Sequence, residues 1–389
     1  MGMPTHLSNA EIEEFGREMD AIRNEVMDSR GAADRAYILS IIRWQRSLAL
    51  GGRIVMFLSL LLLPAYAGWP QFLAVLALGA AMLGIAKIME NMEIGHNVMH
   101  AQWDWMRDPQ IQSNTWEWDN VCPSDQWKHS HNVVHHTWTN VFGKDPDIGY
   151  GVLRVTPQQR WKPKYLIQPI TNFFLNIWFQ WGVAVHDVEP DKLLSGEKSV
   201  ASVKHLLRGI AKKAARQLLK DYVLWPALGA ALTVPASMAL QLDISQIALL
   251  AFLWIAGGNA IANLMRNVWS NVIIFCGHFP SGVQHFTKAE VEGETRARWY
   301  VRQLLGSCNI GGGKLFHILS GNLSHQIEHH LFPDMPSNRY PEVSPRVRAL
   351  AARYRLPYNT GSLTRQFGTT TWTIWRLAFP GGQSHALNA

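Results

Sequence analysis

The chain has 389 residues, 48% of them hydrophobic, with 17 Trp and a mean hydropathy of −0.05, so strongly apolar segments are averaged with strongly polar ones, as in membrane spans that feed a large aqueous domain. The net charge of +7 comes from Lys and Arg spread over all the polar regions, which argues against a nucleic-acid partner and for a surface meeting anionic lipid. Three well-separated cysteines, Cys122, Cys276 and Cys308, form no CxxC pair, which excludes a zinc knuckle or iron–sulfur cluster and leaves them reduced and structural.

The N-terminus does not have the basic, apolar, small-residue order of a secretory signal, so membrane insertion is expected from internal segments. Ser8 and Glu11 make a capping box, and Ile12, Phe15, Met19, Ile22 and Val26 follow at helical spacing, which predicts an amphipathic helix lying on something apolar. Two nearly uncharged stretches follow, Leu48 to Gly68 and Gln71 to Met89, joined at Gly68-Trp69-Pro70. Each is roughly 20 residues long, so together they predict a transmembrane hairpin. A second hairpin is predicted from Tyr222 to Leu240 and from Ile247 to about Gly277. Its second member carries Asn259, Asn263, Arg266, Asn267 and Asn271, so that helix either continues beyond the bilayer or faces a polar interior. Arg43, Arg46 and Arg53 precede the first hairpin and Lys212, Lys213, Arg216 and Lys220 the second, while neither joint holds Lys or Arg. The positive-inside rule then places both termini and the intervening segment in the cytoplasm. Between the hairpins, Ile167 to Val185 mixes Phe and Trp with Gln168, Asn172, Asn176 and Gln180, and reads as an interfacial helix.

The expected fold is all-α and integral to the membrane, with four transmembrane helices in two hairpins and a cytoplasmic helical domain. Its parts are amphipathic N-terminal helices (1–47), the first hairpin (48–90), a cytoplasmic segment (91–221), the second hairpin (222–277) and a cytoplasmic C-terminal segment (278–389).

Eight of the 16 histidines fall in three clusters. His96-Asn-Val-Met-His100 lies just past the second span. Positions i and i+4 share a helix face, so two imidazoles can reach one metal. His131-Asn-Val-Val-His135-His136 repeats that spacing and adds a third imidazole about 100° round the helix. His325-Gln326-Ile-Glu328-His329-His330 offers the same fan after the second hairpin. A single HxxxH is commonly a solvated or core pair, but three such groups on one predicted membrane face are not. Many imidazoles without thiolate suit zinc, copper, nickel or non-haem iron. Eight exceed the three or four ligands of one zinc, so two metals are implied. HExxH is missing, because Asn97 and Asn132 follow the leading histidines, and with it goes the general base of a zinc hydrolase.

These motifs resemble those of the membrane fatty acid desaturase family. The boxes stand here as HNVMH, HNVVHH and QIEHH followed by Leu331-Phe332-Pro333, and the resemblance covers about residues 50 to 340. The ending QIEHHLFP is similar to the front-end and linoleoyl-CoA-type subgroup, whose members often carry a fused cytochrome b5 domain with an HPGG motif that this chain lacks.

The resemblance implies two iron ions held by His96, His100, His131, His135, His136, His329 and His330, with His278 as the extra histidine from the fourth span. For the lead residue of the third box, the family pattern favours Gln326 and plain helix geometry favours His325. Asn132, Asn271, Glu328, Asp145 and Asp147 are candidates for orienting ligands by accepting an imidazole N–H. Asp145-Pro146-Asp147 is equally a simple turn.

The implied reaction reduces O₂ with two electrons, removes hydrogen from an unactivated methylene of an acyl-CoA or acyl-lipid, and leaves a cis double bond and water. Electrons are expected from a separate ferredoxin or cytochrome b5-type donor with its NAD(P)H reductase. Phe and Trp around 173–181 are candidate channel walls, and Arg154, Arg160, Lys162 and Lys164 candidate head-group contacts. The same scaffold could serve a hydroxylase, conjugase or alkane monooxygenase. A metal transporter is disfavoured because its ligands would lie within the spans.

Overall fold

The computed structural model describes residues 6–63 and 68–381. The helices that position the site are α1 (Asn9–Asp28), α2 (Ala32–Ser59), α3 (Trp69–Met89), α4 (Gln168–Ile177), α5 (Phe179–His186), α6 (Val200–Leu219), α7 (Trp225–Ala239), α8 (Ile244–His278), α9 (Arg296–Leu305), α10 (Gln326–Leu331), α11 (Tyr340–Arg353) and α12 (Leu363–Leu377). Two three-residue strands, β1 (Asn309–Gly311) and β2 (Thr360–Ser362), pair in parallel, and a single bridge joins Val141 to Phe286; the other regular elements among the described residues are helical.

Four helical runs are long and apolar enough to cross a membrane: Ala32–Leu62, Trp69–Met99, Val200–Ala239 and Ile244–His278. Each coincides with one expected span and starts before it; the first run ends at Leu62, short of the expected Gly68, and the third at Ala239, while the second and fourth enclose their spans. No break falls at 47/48, because α2 begins at Ala32 and carries the polar approach and the span as one rod. Residues 64–67 of the first hairpin joint lie outside the described residues. Where α2 and α3 cross, a Cβ built on Gly79 would stand 2.6 Å from the Met56 nitrogen, and one on Gly52 2.8 Å from the Leu83 nitrogen. Small residues at this crossing let the backbones touch, which is how helices associate where lipid competes for apolar contact.

The polar residues of the fourth span face inward. Asp221, fully buried, accepts from Lys87 Nζ of α3 at 3.0 Å and from Asn263 Nδ2 of α8 at 3.2 Å, with Arg53 of α2 at 3.4 Å. Asn259 donates to the Asp221 carbonyl at 2.6 Å, and Asn267 to the Ile177 carbonyl at 2.8 Å. One buried acid therefore ties all four spans together, and it shares Lys87 with Asp119, whose carboxylate lies 2.9 Å from the ammonium.

The stretch expected as one interfacial helix is two, α4 and α5, broken at Trp178 (φ −107°, ψ 27°). Ser8 and Glu11 form the capping box of α1. The apolar stripe of α1 (Ile12, Phe15, Met19, Val26) is buried against α9 and α11, in a core that includes Val301, Leu304, Val343 and Val347. Gly16 permits the close crossing, because a Cβ there would meet the Ala297 Cβ at 2.5 Å.

Candidate metal centre

The first two histidine boxes sit on widened helix. After α3 the chain winds through a π-helical segment, Glu90–His96, before a last α-turn, Asn97–Met99, and a left-handed Ala101 (φ 60°). The second box lies on another π segment, Lys128–His135. Such segments recur at functional sites because they change which side chains share a face. Here His131 and His136, five residues apart, meet with their Nε2 atoms 3.3 Å from each other. The fan expected from ideal α geometry is thus replaced by a pair that converges.

The boxes and α8 bring eight imidazoles together. Donor atoms of His96, His100, His131 and His329 lie within 4.8 Å of one another, as do those of His135, His278 and His330, and His136 joins His329 and His330. Donors on opposite sides of a metal with bonds of about 2.1 Å stand about 4 Å apart, so these spacings suit two adjacent ions. His278 Nε2 is 3.3 Å from His330 Nε2, a second imidazole pair. The buried Nε2 atoms of His100, His135 and His329 and Nδ1 of His136 have no hydrogen-bond partner among the described residues. Buried polar atoms left unpaired are unfavourable unless something absent from the protein chain completes them. An all-imidazole donor set with inward lone pairs is what a metal pair would complete.

The outer ring nitrogens are held by the protein. His96 Nδ1 faces Asn97 Oδ1 at 2.9 Å, and His135 Nδ1 both Asp145 oxygens at 3.1 Å. His329 Nδ1 faces Tyr340 OH at 3.3 Å, and His330 Nδ1 Gln303 Oε1 at 3.1 Å. Fixing Nδ1–H in this way selects the tautomer whose Nε2 lone pair is free for a metal. Burial, reinforced by neighbouring imidazoles, pushes the pKa values of His100, His136, His329 and His330 well below the usual range, so these rings are neutral. Burial acts the same way on His135, but the Asp145 and Asp147 carboxylates override it and hold that ring up at about 9. A metal at His135 must therefore displace a proton.

One expected ligand and several expected orienting residues do something else. His325 lies outside the cluster: α10 starts at Gln326, and His325 closes the preceding 3₁₀ turn with φ −100° and ψ 54°, off the helical face it was expected to share with His329. Its ring packs on His317 instead. Gln326 takes the inward place, with Nε2 3.0 Å from His278 Nε2. Asn132 donates to the Met99 carbonyl at 2.8 Å and so joins the first two boxes without touching a ring. Glu328 is bound by Asn309 and Tyr358 behind the cluster, and the Asn271 amide nitrogen is buried with no hydrogen-bond partner among the described residues. Asp145-Pro146-Asp147 combines both of its readings, a turn whose carboxylates face the second box.

Asn97, Gln303, Tyr340 and His186 were not legible as site residues. His186 Nε2 is 3.1 Å from Asp147, and only chain folding brings it there.

A narrow cavity runs from the cluster between α5 and α8. Met92, Tyr150, Phe179, Ile274, Phe279 and Leu323 give it apolar walls, and Asn91, Asn120, Arg266 and Asn267 a polar end. Trp118 and Asn120 are shared with a vestibule of about 470 Å³ lined by Arg53, Lys87, Asp119, Lys213, Arg216 and Lys220. Of the aromatics expected as walls, Phe179 faces the cavity, whereas Phe173, Phe174 and Trp178 are exposed outward. Arg154, a candidate head-group contact, is buried and donates to the carbonyls of Gln159, Leu377 and Phe379.

A four-span membrane bundle whose eight converging imidazoles lie beside a narrow cavity has the donor set of a metal-binding membrane oxidoreductase. The profile of the fatty acid desaturase family matches residues 67–362, and the chain belongs to that family. It is therefore an enzyme that introduces a double bond into a fatty acyl chain. The chain is 47% identical over 375 residues to the NADPH-dependent stearoyl-CoA 9-desaturase of Mycobacterium tuberculosis, a match covering 96% of this chain and 82% of that protein. It is 24% identical over 296 residues to the sn-1 linoleoyl-lipid 6-desaturase of Synechocystis, covering 74% and 76%.

Proposed function

We propose that the protein is an O₂-dependent acyl-CoA desaturase that places a cis double bond in a long-chain acyl group, using two iron ions held by His96, His100, His131, His135, His136, His278, His329 and His330. The observation that carries this reading is the convergence of these rings around orphaned, inward-facing nitrogens at the end of an apolar cavity. When bound, the irons supply the activation of O₂ and the removal of hydrogen from an unactivated methylene, chemistry beyond any side chain. The acyl chain gives up two hydrogens, and with two electrons and two protons one O₂ becomes two waters.

The protein's own part is positional. Asn97, Asp145, Tyr340 and Gln303 hold the outer nitrogens, and Trp127, stacked on His131 with ring centroids 4.3 Å apart, covers one side of the cluster. The cavity holds the acyl chain against the metals and keeps water from it.

A coenzyme A carrier is supported by the name of the mycobacterial relative and by Arg216 in the vestibule, whose lysines Lys87, Lys213 and Lys220 are paired with Asp119, Asp221 and Glu117. Asp119 is kept ionised there by Lys87, Lys220 and Arg266 despite its burial. The positive-inside argument supports a cytoplasmic location for the cluster, for both termini and for the 91–221 and 278–389 segments. Electrons come from a separate ferredoxin or cytochrome b5-type carrier and its NAD(P)H reductase.

The test is metal analysis together with product mass. Two irons per chain and a product two mass units lighter than its substrate are expected. A gain of sixteen units would instead mark a hydroxylase, and a single zinc would overturn the reading. Robust turnover by the isolated iron protein with NADPH alone would remove the separate electron carrier.

A further inference from the structure

Hydropathy singles out four spans, yet the fold presents one more apolar surface, on α12. Ser362 caps this helix by accepting from the Arg365 N–H. Its inner face, Gln366, Thr370, Ile374 and Leu377, is buried, and Ile374 packs with Phe179, Phe275 and Phe279. The outer face runs through Trp372 and Trp375 to Phe379 beyond the helix end, residues that are 68%, 55% and 57% exposed. These positions recur at helical spacing on one side.

α4 lies beside α12 and is joined to it by Gln168, whose amide donates to the Ile374 carbonyl at 2.5 Å. Its outward stripe of Ile170, Phe174 and Trp178 is exposed to a similar degree. Trp161 Nε1 donates to the Ala378 carbonyl at 2.8 Å and so brings the Arg160–Lys164 loop to the same end. Arg160, Lys162, Lys164, Arg365 and Arg376 are exposed around the aromatic surface.

A paired aromatic surface of this kind is too apolar for water. Its occupant is identified by continuity and charge. Both helices pack against α8, a membrane-spanning helix whose outward residues Leu253, Ile261 and Leu264 are exposed. Tryptophan and phenylalanine edged with Lys and Arg match the depth where acyl chains meet anionic head groups.

We propose that α12, paired with α4, lies in the plane of the bilayer interface as a lipid-bound helix, so that the C-terminal segment is partly a membrane element. Through Ile374, lipid seating of α12 braces the aromatic wall of the cavity. The inference goes beyond the desaturase reading and does not depend on it.

The three cysteines are buried, so nitroxides can be placed selectively on the full chain in nanodiscs of phosphatidylcholine and phosphatidylglycerol. In Trp372→Cys, Trp375→Cys and Phe174→Cys, collision with O₂ should exceed collision with a water-soluble nickel chelate, and the order should reverse in Ala352→Cys, on the exposed face of α11. Nickel accessibility at 372 and 375 equal to that at 352 would overturn the proposal. So would exclusion of both relaxants at 372 and 375, which would mean that a protein covers the face.

A second measurement needs no variant. Wild-type protein in bilayers containing a diazirine phospholipid should be labelled within 363–379 and 167–178 as well as in the four spans. Label confined to the spans would sink the idea. Neither readout involves turnover, so its failure is distinguishable from failure of the proposed reaction.

Discussion

Two histidine pairs in this protein have the same ring separation and different surroundings. The rings of His96 and His100 are 4.6 Å apart, and so are those of His317 and His325. Around the first pair, six more imidazoles arrive from the second box, the third box and the end of α8, and acceptors hold the outer nitrogens so that the inner lone pairs converge. Around the second pair, His317 Nδ1 meets the Ser324 hydroxyl at 2.7 Å, and both ring nitrogens of His325 lack a hydrogen-bond partner among the described residues. Burial and the neighbouring His317 push His325 down to about 4, so it is neutral, as are most rings of the cluster. Neutral, close imidazoles are thus common to both places. What separates a metal centre from a pair of rings is the arrival of further donors with their outer nitrogens already held.

The sharpest way to break this contrast is to remove a ligand. His135→Ala and His329→Ala are expected to reduce product to background, a loss above the roughly 10–100-fold that follows when only an outer partner of a ligand is removed. Lipid profiling of a host expressing each variant measures this, with membrane content of the protein unchanged; full activity in either would dismantle the ligand set.

Asp145→Asn removes the charge on the His135 Nδ1 partner and is expected to lose about 10–100-fold in iron affinity or activity. Iron per chain across a chelator series and initial rates report it, and an unchanged chelator midpoint would show that the carboxylate contributes no orientation. Gln326→Leu, which deletes the amide beside His278, is expected at the low end of that range, about 10-fold in rate.

His325→Ala should be the smallest effect: iron content unchanged, activity within about twofold, and stability lowered by about 1 kcal/mol, the usual cost of a single substitution. Loss of one iron in His325→Ala with none in Gln326→Leu would restore His325 as a ligand and overturn the contrast.

Much was legible before folding. The spans could be read because a helix in lipid must be apolar for roughly 20 residues, a property written into consecutive letters. Spacing also exposed the histidine boxes, and the capping box and buried stripe of α1 likewise follow from neighbours within one or two turns.

Errors arose where a local rule met a distant constraint. His325 was placed by ideal i, i+4 spacing, but the helix starts one residue later. His131 and His136 meet because the second box is wound as π-helix, which no pattern of letters disclosed. Arg154 read as a candidate head-group contact, yet it anchors the end of α12 across more than two hundred residues of chain.

By itself the sequence determined the four spans, the three boxes, the family resemblance and the chemistry those boxes imply, since all are carried by residue types and short spacings. The tertiary structure alone decided that Gln326 and not His325 faces the cluster, that Asn97, Gln303 and Tyr340 join Asp145 in holding its rings, and that α12 turns tryptophans outward. Those outcomes depend on which side chains distant segments present to one another, and hydrogen-bond direction and burial at such meetings exist only after the chain has packed.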